Sequence, residues 1–362
     1  MKYGKYMRKV VRELTLYKRQ SLGRLAEFEE PLLLDTNENF FISAAWQKRI
    51  LRSALESMDV RRYPVPYSAS LSERIADFLK VKDSAVVVGN GADEVIDIVI
   101  RTFVEPGDEV IVTDPTFRQY EFSVKLADGV VRPVSLKENF DLDVERLLAS
   151  IGERTKLIFL CSPNNPTGNQ FLKADMRRVL EESGRVVVVD EAYVHFARDS
   201  VLDLLKDCEN LIVLRTFSKA YGLAGLRIGF AILSKELGEY VRRAQQQYSV
   251  SLFAQKAVEA FLRSWDYVAE KIEEIKIERQ RLFSKLSGTD GLKPFPSEAN
   301  FILTRVDKRG CSSGLLQEKL ADAGIFVKDM NQERLCKNCI RITVGTPRMN
   351  NRLLAELRSI IG

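Results

Sequence analysis

The sequence predicts an α/β protein with a mostly parallel sheet, followed by a smaller α+β domain. In the middle of the chain, short β-branched runs alternate with longer amphipathic segments such as 93–103 and 143–151. The short runs are apolar throughout, which is typical of strands that helices cover on both faces of a parallel sheet. The predicted strands are residues 84–88, 108–114, 156–161, 185–190, 210–217 and 227–233.

The pattern changes after about residue 235, and we predict a large domain over 41–250 and a small domain over 251–362. Residues 1–40 are too few for a domain of their own, so we expect an arm that packs with the small domain or a partner chain. The C-terminal part is predicted to contain a long helical stretch over roughly 235–287, strands within 294–306, 325–330 and 339–346, a helix near 312–323 and a final helix.

Charge and hydropathy argue against nucleic-acid and membrane partners. The 362 residues carry a formal net charge of +5, and the charges are spread along the chain. The segment 271–281 mixes both signs at helical spacing, which is typical of a solvated helix face. We find no eighteen-residue apolar run and no signal-peptide core at the N-terminus. We therefore expect neither partner.

The five cysteines show no spacing typical of a disulfide framework. Cys336 and Cys339 form one C-x-x-C motif, but a zinc site needs two further ligands. The only histidine, His195, is far away in the sequence. We expect no metal, and reduced thiols in a cytoplasmic protein.

The most informative residue is Lys219, which lies among small and apolar residues in the segment 216–230. A lysine that attacks a carbonyl group needs a partly desolvated site, because burial disfavours the ammonium form. Thr216 and Ser218 precede it and Arg227 follows, and such donors suit a phosphate. Together these residues are what a pyridoxal-phosphate Schiff-base site requires. Taken alone, Lys219 could equally be a lysine at a loop-to-strand junction.

Three further segments follow predicted strands and carry polar groups. The turn 89–91 leads into a helix at Ala92 and Asp93, where free N–H groups and the helix dipole favour an anion. Asp190 ends a strand, where it either keeps a pyridine nitrogen protonated or caps a helix. The turn 162–168, SPNNPTG, offers an asparagine that could bind a ring hydroxyl.

These motifs occur in an order that resembles the fold-type I pyridoxal-phosphate enzymes, and more narrowly the histidinol-phosphate aminotransferases. The resemblance extends from LTLY (14–17) and LDTNEN (34–39) to the C-terminus. It implies an aspartate-aminotransferase-like fold, pyridoxal 5'-phosphate bound in the large domain, and a homodimer. The motifs that carry it are GADE (91–94), DPTF..Y (114–120), SPNNPTG (162–168), DEAY (190–193), SK..GLAGLR (218–227) and IRITVGT (340–346).

The resemblance also implies roles for residues at the cofactor ring. Lys219 would be the Schiff-base residue and would shuttle the proton at the substrate's α-carbon. Asp190 matches the partner of the pyridine nitrogen, and Asn165 and Tyr193 match the groups on the ring hydroxyl. Phe117 stands where the family usually has a tyrosine stacked on the ring, so stacking is kept but a hydroxyl is lost.

Two phosphate sites are implied as well. Tyr63 matches a tyrosine that reaches the cofactor phosphate from the partner subunit. Lys328 replaces an arginine seen in relatives, and lysine supplies charge without a bidentate fork. A second departure is NENFF (37–41), where the family commonly has a proline after NEN. The cofactor-phosphate residues are Ala92, Asp93, Ser218 and Arg227 with Thr216, and the substrate-binding residues are Tyr17, Asn165, Lys328 and Arg341.

The leading hypothesis is transamination between histidinol phosphate and 2-oxoglutarate, with glutamate as the other amino acid, in histidine biosynthesis. One alternative is a threonine-phosphate decarboxylase, to which the segment 245–255 is loosely similar. Another is an aromatic or broad-range aminotransferase in which Arg341 binds a carboxylate. A cofactor-binding regulator fused to a DNA-binding module is a fourth, although fewer than forty residues precede the first motif.

Overall fold

The structure, a computed structural model, describes residues 3–15, 23–81 and 84–361. The strands are β1 (Leu32–Leu33), β2 (Ala85–Gly89), β3 (Glu109–Asp114), β4 (Val130–Ser135), β5 (Thr155–Cys161), β6 (Val186–Asp190), β7 (Leu211–Thr216), β8 (Gly229–Leu233), β9 (Leu292–Pro294), β10 (Phe301–Val306), β11 (Ile325–Phe326), β12 (Lys328–Asp329) and β13 (Cys339–Thr343). The α-helices are α1 (Lys9–Glu13), α2 (Ala44–Glu56), α3 (Ala69–Leu79), α4 (Ala92–Phe103), α5 (Gln119–Leu126), α6 (Val144–Ala149), α7 (Lys173–Glu182), α8 (Lys235–Arg243), α9 (Leu252–Leu262), α10 (Trp265–Ser287), α11 (Ser313–Asp322) and α12 (Pro347–Ile361).

The larger sheet has seven strands in the order β2-β8-β7-β6-β5-β3-β4. Strands β3 to β7 are parallel to one another, whereas β8 is antiparallel to both of its neighbours. Successive residues of β5 point to opposite faces, so Leu157 and Phe159 join one apolar cluster and Ile158 and Leu160 join the other. Helices complete both clusters. The predicted three-layer, mostly parallel α/β fold is therefore confirmed.

Strand β4 was absent from the prediction, and its position explains why. It is an edge strand that pairs only with β3, and Val130, Arg132 and Pro133 are exposed. An edge strand needs no continuous apolar run, and it tolerates a proline because one row of its N–H groups faces away from the sheet. The apolar signal that identified the central strands is consequently missing here.

The second sheet is antiparallel, in the order β12-β13-β10-β9; helices α10 and α11 pack on it, and α12 packs against these two helices. The prediction of one helical stretch over 235–287 is wrong, because α8, α9 and α10 are separate helices. Gln245 leaves the helical path and donates from its buried amide to the Val88 carbonyl at 2.6 Å. Ser251 then caps α9 by accepting from the Ala254 N–H at 3.2 Å.

The described part of the N-terminal arm contacts both sheets. Strand β1 pairs in parallel with β11, and Arg24 forms an ion pair with Asp322 at 3.0 Å. Further on, the Leu34 carbonyl accepts from the N–H of Thr343 in β13 at 3.0 Å. Residues 34–39 thus run beside the second sheet and on to the edge of the larger one. The domain boundaries themselves stay a prediction.

Within the described residues, no helix combines the length and the apolar character that crossing a membrane requires.

Candidate active site

A cavity of about 230 Å³ opens at the carboxyl ends of β5, β6 and β7, whose last residues Cys161, Asp190 and Thr216 all line it. This is the edge at which open α/β sheets bind ligands. The predicted site residues that line the cavity are Ala92, Asp93, Phe117, Asn165, Asp190, Tyr193, Thr216, Ser218, Lys219, Arg227, Lys328 and Arg341. The structure therefore brings together residues that are up to 249 positions apart in the sequence (92 and 341).

Two predicted residues are not in this group. Tyr63 lies outside the cavity lining, and its side chain is 82% exposed. Tyr17 lies outside the described residues.

Lys219 follows β7 and points its amine into the cavity. Nζ donates to the Thr36 carbonyl at 2.8 Å and lies 5.7 Å from the centroid of the Tyr193 ring. Burial, with a smaller contribution from the charge of Arg341, lowers the pKa of Lys219 from 10.5 to about 8. A much larger fraction of this amine is therefore neutral and nucleophilic at pH 7 than of an ordinary lysine.

Asp190 places a buried carboxylate at the end of β6. The Tyr120 hydroxyl donates to Oδ2 at 2.6 Å, and the Ala192 N–H donates to Oδ1 at 2.9 Å. Burial raises the pKa of Asp190 to about 6, while these two hydrogen bonds act in the opposite direction. The carboxylate is thus mostly ionised at pH 7 and suited to pair with a protonated ring nitrogen.

Arg341 and Lys328 provide positive charge on the side of the cavity that is formed by the four-stranded second sheet, called the small sheet below. They face each other in the register of β12 and β13. Arg341 donates to the Asp35 carbonyl at 2.7 Å and also to Asn165 Oδ1. Burial lowers the pKa of Lys328, and the charge of Arg341 lowers it further. Two cations held this close favour an anionic ligand.

The opposite side of the cavity is shaped for a second anion. Gly91 has a φ of +85°, and a Cβ atom there would come within 2.5 Å of Arg227 Nη2. A Cβ atom on Gly229 would collide with the backbone nitrogen of Ala92. Gly229 thus allows the first turn of α4 to approach β8 closely, and Gly91 supplies the positive φ of the turn. Arg227, which pairs with Asp93 at 2.9 Å, therefore lies beside the N–H groups of that turn.

Comparisons with known proteins identify the family of this chain. The family described as "Aminotransferase class I and II" matches residues 29–357. The chain belongs to the class I and II aminotransferases. It is similar to a histidinol-phosphate aminotransferase of Parabacteroides distasonis (38% identity over 91% of each chain) and to one of Methanothermobacter thermautotrophicus (39% identity over 92% of this chain and 90% of that protein).

A solved structure shares the fold of this aminotransferase. The histidinol-phosphate aminotransferase of Sinorhizobium meliloti, determined in complex with pyridoxal-5'-phosphate, has a TM-score of 0.87 and 26% identity, and the match covers 98% of this chain and 97% of that one. The resemblance to fold-type I pyridoxal-phosphate enzymes is thereby confirmed.

The residues of the aminotransferase cavity fit pyridoxal phosphate as the cofactor. The α4 turn and Arg227 would form a cradle for its phosphate, at the place where Gly229 leaves no room for a Cβ atom. Asp190 would offer a buried carboxylate to its ring nitrogen, and Lys219 an amine of lowered pKa to its aldehyde. The phosphate, the ring nitrogen and the aldehyde would thus each have a matching group in the cavity.

The segment 35–37 is a part of the site that was not predicted from the sequence. Its three consecutive residues contact three predicted site residues: the Asp35 carbonyl accepts from Arg341, the Thr36 carbonyl from Lys219, and the Asn37 side chain contacts Tyr193. Tyr120 was not predicted either, although this residue belongs to the motif DPTF..Y. The motif LDTNEN contributed to the resemblance, and this is the signal that could have identified the segment.

The pKa of Lys219 predicts how cofactor attachment depends on pH. Only the neutral amine reacts, and at pH 7 about one in ten Lys219 amines is neutral, against about one in three thousand for a lysine of pKa 10.5. Cofactor-free protein is mixed with pyridoxal phosphate, and the visible absorbance of the lysine-attached cofactor is followed. We expect the rate at which this absorbance appears to rise with pH and to level off above about pH 8. A rate that keeps rising through pH 10 would contradict the lowered pKa.

Proposed function

We propose that the chain transfers the amino group of histidinol phosphate to 2-oxoglutarate, with pyridoxal phosphate as its cofactor, and serves histidine biosynthesis. The observation that carries this proposal is that Arg341 and Lys328, on opposite positions of two paired strands, both line the small-sheet side of the cavity. Two cations suit a phosphomonoester better than a single carboxylate. The names of the relatives support the same substrate.

In this proposal the large-sheet residues hold the cofactor. Bound pyridoxal phosphate supplies an electron sink that acidifies the substrate's α-carbon. Asp190 would keep the ring nitrogen protonated, and Phe117 would pack on the ring. Lys219 would take the proton from the α-carbon and return it, because its lowered pKa makes the free amine available near neutral pH. The residues that would hold the phosphate are Ala92, Asp93, Thr216, Ser218 and Arg227, and those that would hold the ring hydroxyl are Asn165 and Tyr193.

The substrate anion is assigned to Arg341 and Lys328, with Asn165 beside them. Arg341 is held by Asn165 Oδ1 and the Asp35 carbonyl, so its guanidinium is oriented before a substrate arrives. Arg341 would bind the phosphate of histidinol phosphate in one half-reaction and the side-chain carboxylate of glutamate in the other. Tyr17 is kept as a further member of this site from the sequence alone.

One assay distinguishes the candidate reactions. The protein is incubated with histidinol phosphate and 2-oxoglutarate, and separately with threonine phosphate, and glutamate and carbon dioxide are measured. We expect glutamate from the first mixture and no carbon dioxide from the second. Lys219→Ala is the matched control. It should bind the cofactor but lack the visible absorbance of a lysine-attached cofactor, and it should show almost no turnover. Carbon dioxide release would favour the decarboxylase instead.

Removal of Arg341 is expected to impair histidinol phosphate most. Arg341→Gln removes one of the two charged partners of a buried phosphate, which costs about 3 kcal/mol, or on the order of a hundredfold in kcat/KM. Lys328→Arg, the control, should be tolerated because it restores a fork of N–H donors. The measurement is kcat/KM for histidinol phosphate and phenylalanine with each protein. If phenylalanine is the better donor for the unmodified enzyme, the aromatic-aminotransferase hypothesis replaces this one.

We also propose a homodimer whose sites are completed by Tyr63 of the second copy. In support, Tyr63 is 82% exposed, which is unfavourable for a large aromatic side chain in an isolated subunit. Its ring centroid lies 4.9 Å from that of Tyr248. Val60 and Val65, close to Tyr63 in the sequence, are also exposed, and a partner subunit would cover these apolar side chains. The five free thiols support the cytoplasm as its location.

Mixing two inactive variants tests the shared site. Lys219→Ala and Tyr63→Ala each inactivate both sites of their own dimer. After subunit exchange, mixed dimers contain one intact site, so up to about a quarter of all sites should recover activity. Activity is measured before and after exchange, with each variant re-mixed with itself as the control. An active monomer at high dilution, or no recovery after demonstrated exchange, would contradict the proposal.

A further inference from the structure

The side chain of Asn37 is buried between the two sheets, with 1% of its surface exposed. Its φ of 58° lies in the left-handed region, which asparagine tolerates better than most residues. Its N–H donates to Thr343 Oγ1 at 3.0 Å, and its carbonyl accepts from Asn300 Nδ2 at 3.0 Å. Its amide group lies between the Thr343 hydroxyl, at 3.2 Å, and the Tyr193 hydroxyl, at 3.0 Å.

The hydrogen bonds of Thr343 determine which way this amide points. Thr343 Oγ1 already accepts the backbone N–H of Asn37, so its single proton goes to Asn37 Oδ1. A reversed amide would leave that buried proton facing an NH₂ group. Because two buried donors that face each other both lose their hydrogen bonds, the reversed arrangement is disfavoured. Nδ2 is therefore the atom that faces Tyr193.

Tyr193 must then use its own proton elsewhere. Its oxygen accepts from Asn37 Nδ2, and its ring lines the cavity. Burial raises the pKa of Tyr193 to about 12, so the hydroxyl stays protonated across the ordinary pH range. A phenol that accepts on its protein side presents its O–H to the cavity.

We propose that Asn37 is a positioning residue that commits the Tyr193 proton to the cavity, so that Tyr193 donates to an anionic oxygen bound there. The proposal rests on the proposed function, in which that oxygen belongs to the ring of pyridoxal phosphate. Asn37 acts through Tyr193, and Thr343 acts through Asn37. The chain of hydrogen bonds thus runs from β13 of the small sheet to the cavity wall of the large one.

Asn37→Asp tests this direction, because it keeps the shape and the tolerance of a positive φ but replaces the donor with an acceptor. The Tyr193 proton would turn toward the carboxylate and away from the cavity. The ring oxygen of the lysine-bound cofactor would then carry more negative charge. The group that titrates is the C=N nitrogen that joins Lys219 to the cofactor, and its pKa is read from the pH dependence of the visible absorbance. We expect this apparent pKa to rise by about one unit or more.

The same substitution in a Tyr193→Phe background is the matched control. If Asn37 acts through the hydroxyl, Asn37→Asp adds little shift there. An equal shift in both backgrounds would mean that charge or packing is responsible, and it would overturn the proposal. So would the absence of a shift in an Asn37→Asp protein whose circular dichroism and Tm match the unmodified enzyme.

Thr343→Val and Thr343→Ser keep the proposal testable if Asn37→Asp does not fold. Valine keeps the shape but removes the hydroxyl that orients the amide, so a smaller shift in the same direction is expected. Serine keeps the hydroxyl, so the Thr343→Ser protein should show the same apparent pKa as the unmodified protein. Equal values for valine and serine would overturn the proposal. An unmodified protein that develops no visible absorbance with pyridoxal phosphate would instead overturn the proposed function, so the two failures are distinguishable.

Discussion

The hydrogen bond between Lys219 Nζ and the Thr36 carbonyl is the interaction on which the chemistry of this site depends. A buried amine needs an acceptor, and the choice of acceptor decides its charge. A carboxylate would stabilise the ammonium form and raise the pKa of the lysine. A neutral carbonyl satisfies an N–H group without a full negative charge, so burial and Arg341 can lower the pKa to about 8. The backbone contact thus gives the buried amine a hydrogen-bond acceptor, while burial and the charge of Arg341 lower its pKa.

The charges around this amine are separated along the cavity. Arg227 and Asp93 lie at the α4 turn, Asp190 lies at the end of β6, and Arg341 with Lys328 lies on the small sheet. Arg341 lowers the pKa of both lysines, so its field reaches across the cavity. An anion bound at Arg341 would weaken that field and raise the pKa of Lys219. Anion binding at Arg341 and the basicity of the Lys219 amine would therefore be coupled electrostatically.

Much of the fold and of the cavity could be predicted from the sequence, because buried parallel strands leave a strong apolar signal. Sites at their carboxyl ends, such as Asp190, follow from that signal. Strand β4 left none, because an edge strand is half exposed. The break between α8 and α9 was missed because Gln245 is compatible with a helix and leaves it only for a tertiary hydrogen bond. Local sequence does not contain that contact.

Side chains that share a motif were harder to separate. SPNNPTG offers two adjacent asparagines, and the turn pattern alone does not say which one faces the cavity; only the family resemblance selected Asn165. Asn164 is fully buried, donates to the Pro115 carbonyl and Thr167, and accepts from Thr116. It holds the turn against the neighbouring loop, which leaves Asn165 to line the cavity. The division of roles follows from the direction of the strand before the turn, which only the fold defines.

The segment Asp35–Asn37 shows a more general limit. Two of its contacts use backbone carbonyls, which every residue type possesses, so no pattern of side chains could reveal them. The third uses Asn37, whose partner Tyr193 is 156 residues away. The segment is fixed at its start by Leu34, which bonds to Phe326 and Thr343 of the small-sheet region, and at its end by Asn39, which donates to the Ala220 carbonyl at 2.7 Å. Ala220 directly follows Lys219, so Lys219 is connected to the small sheet through the six arm residues 34–39.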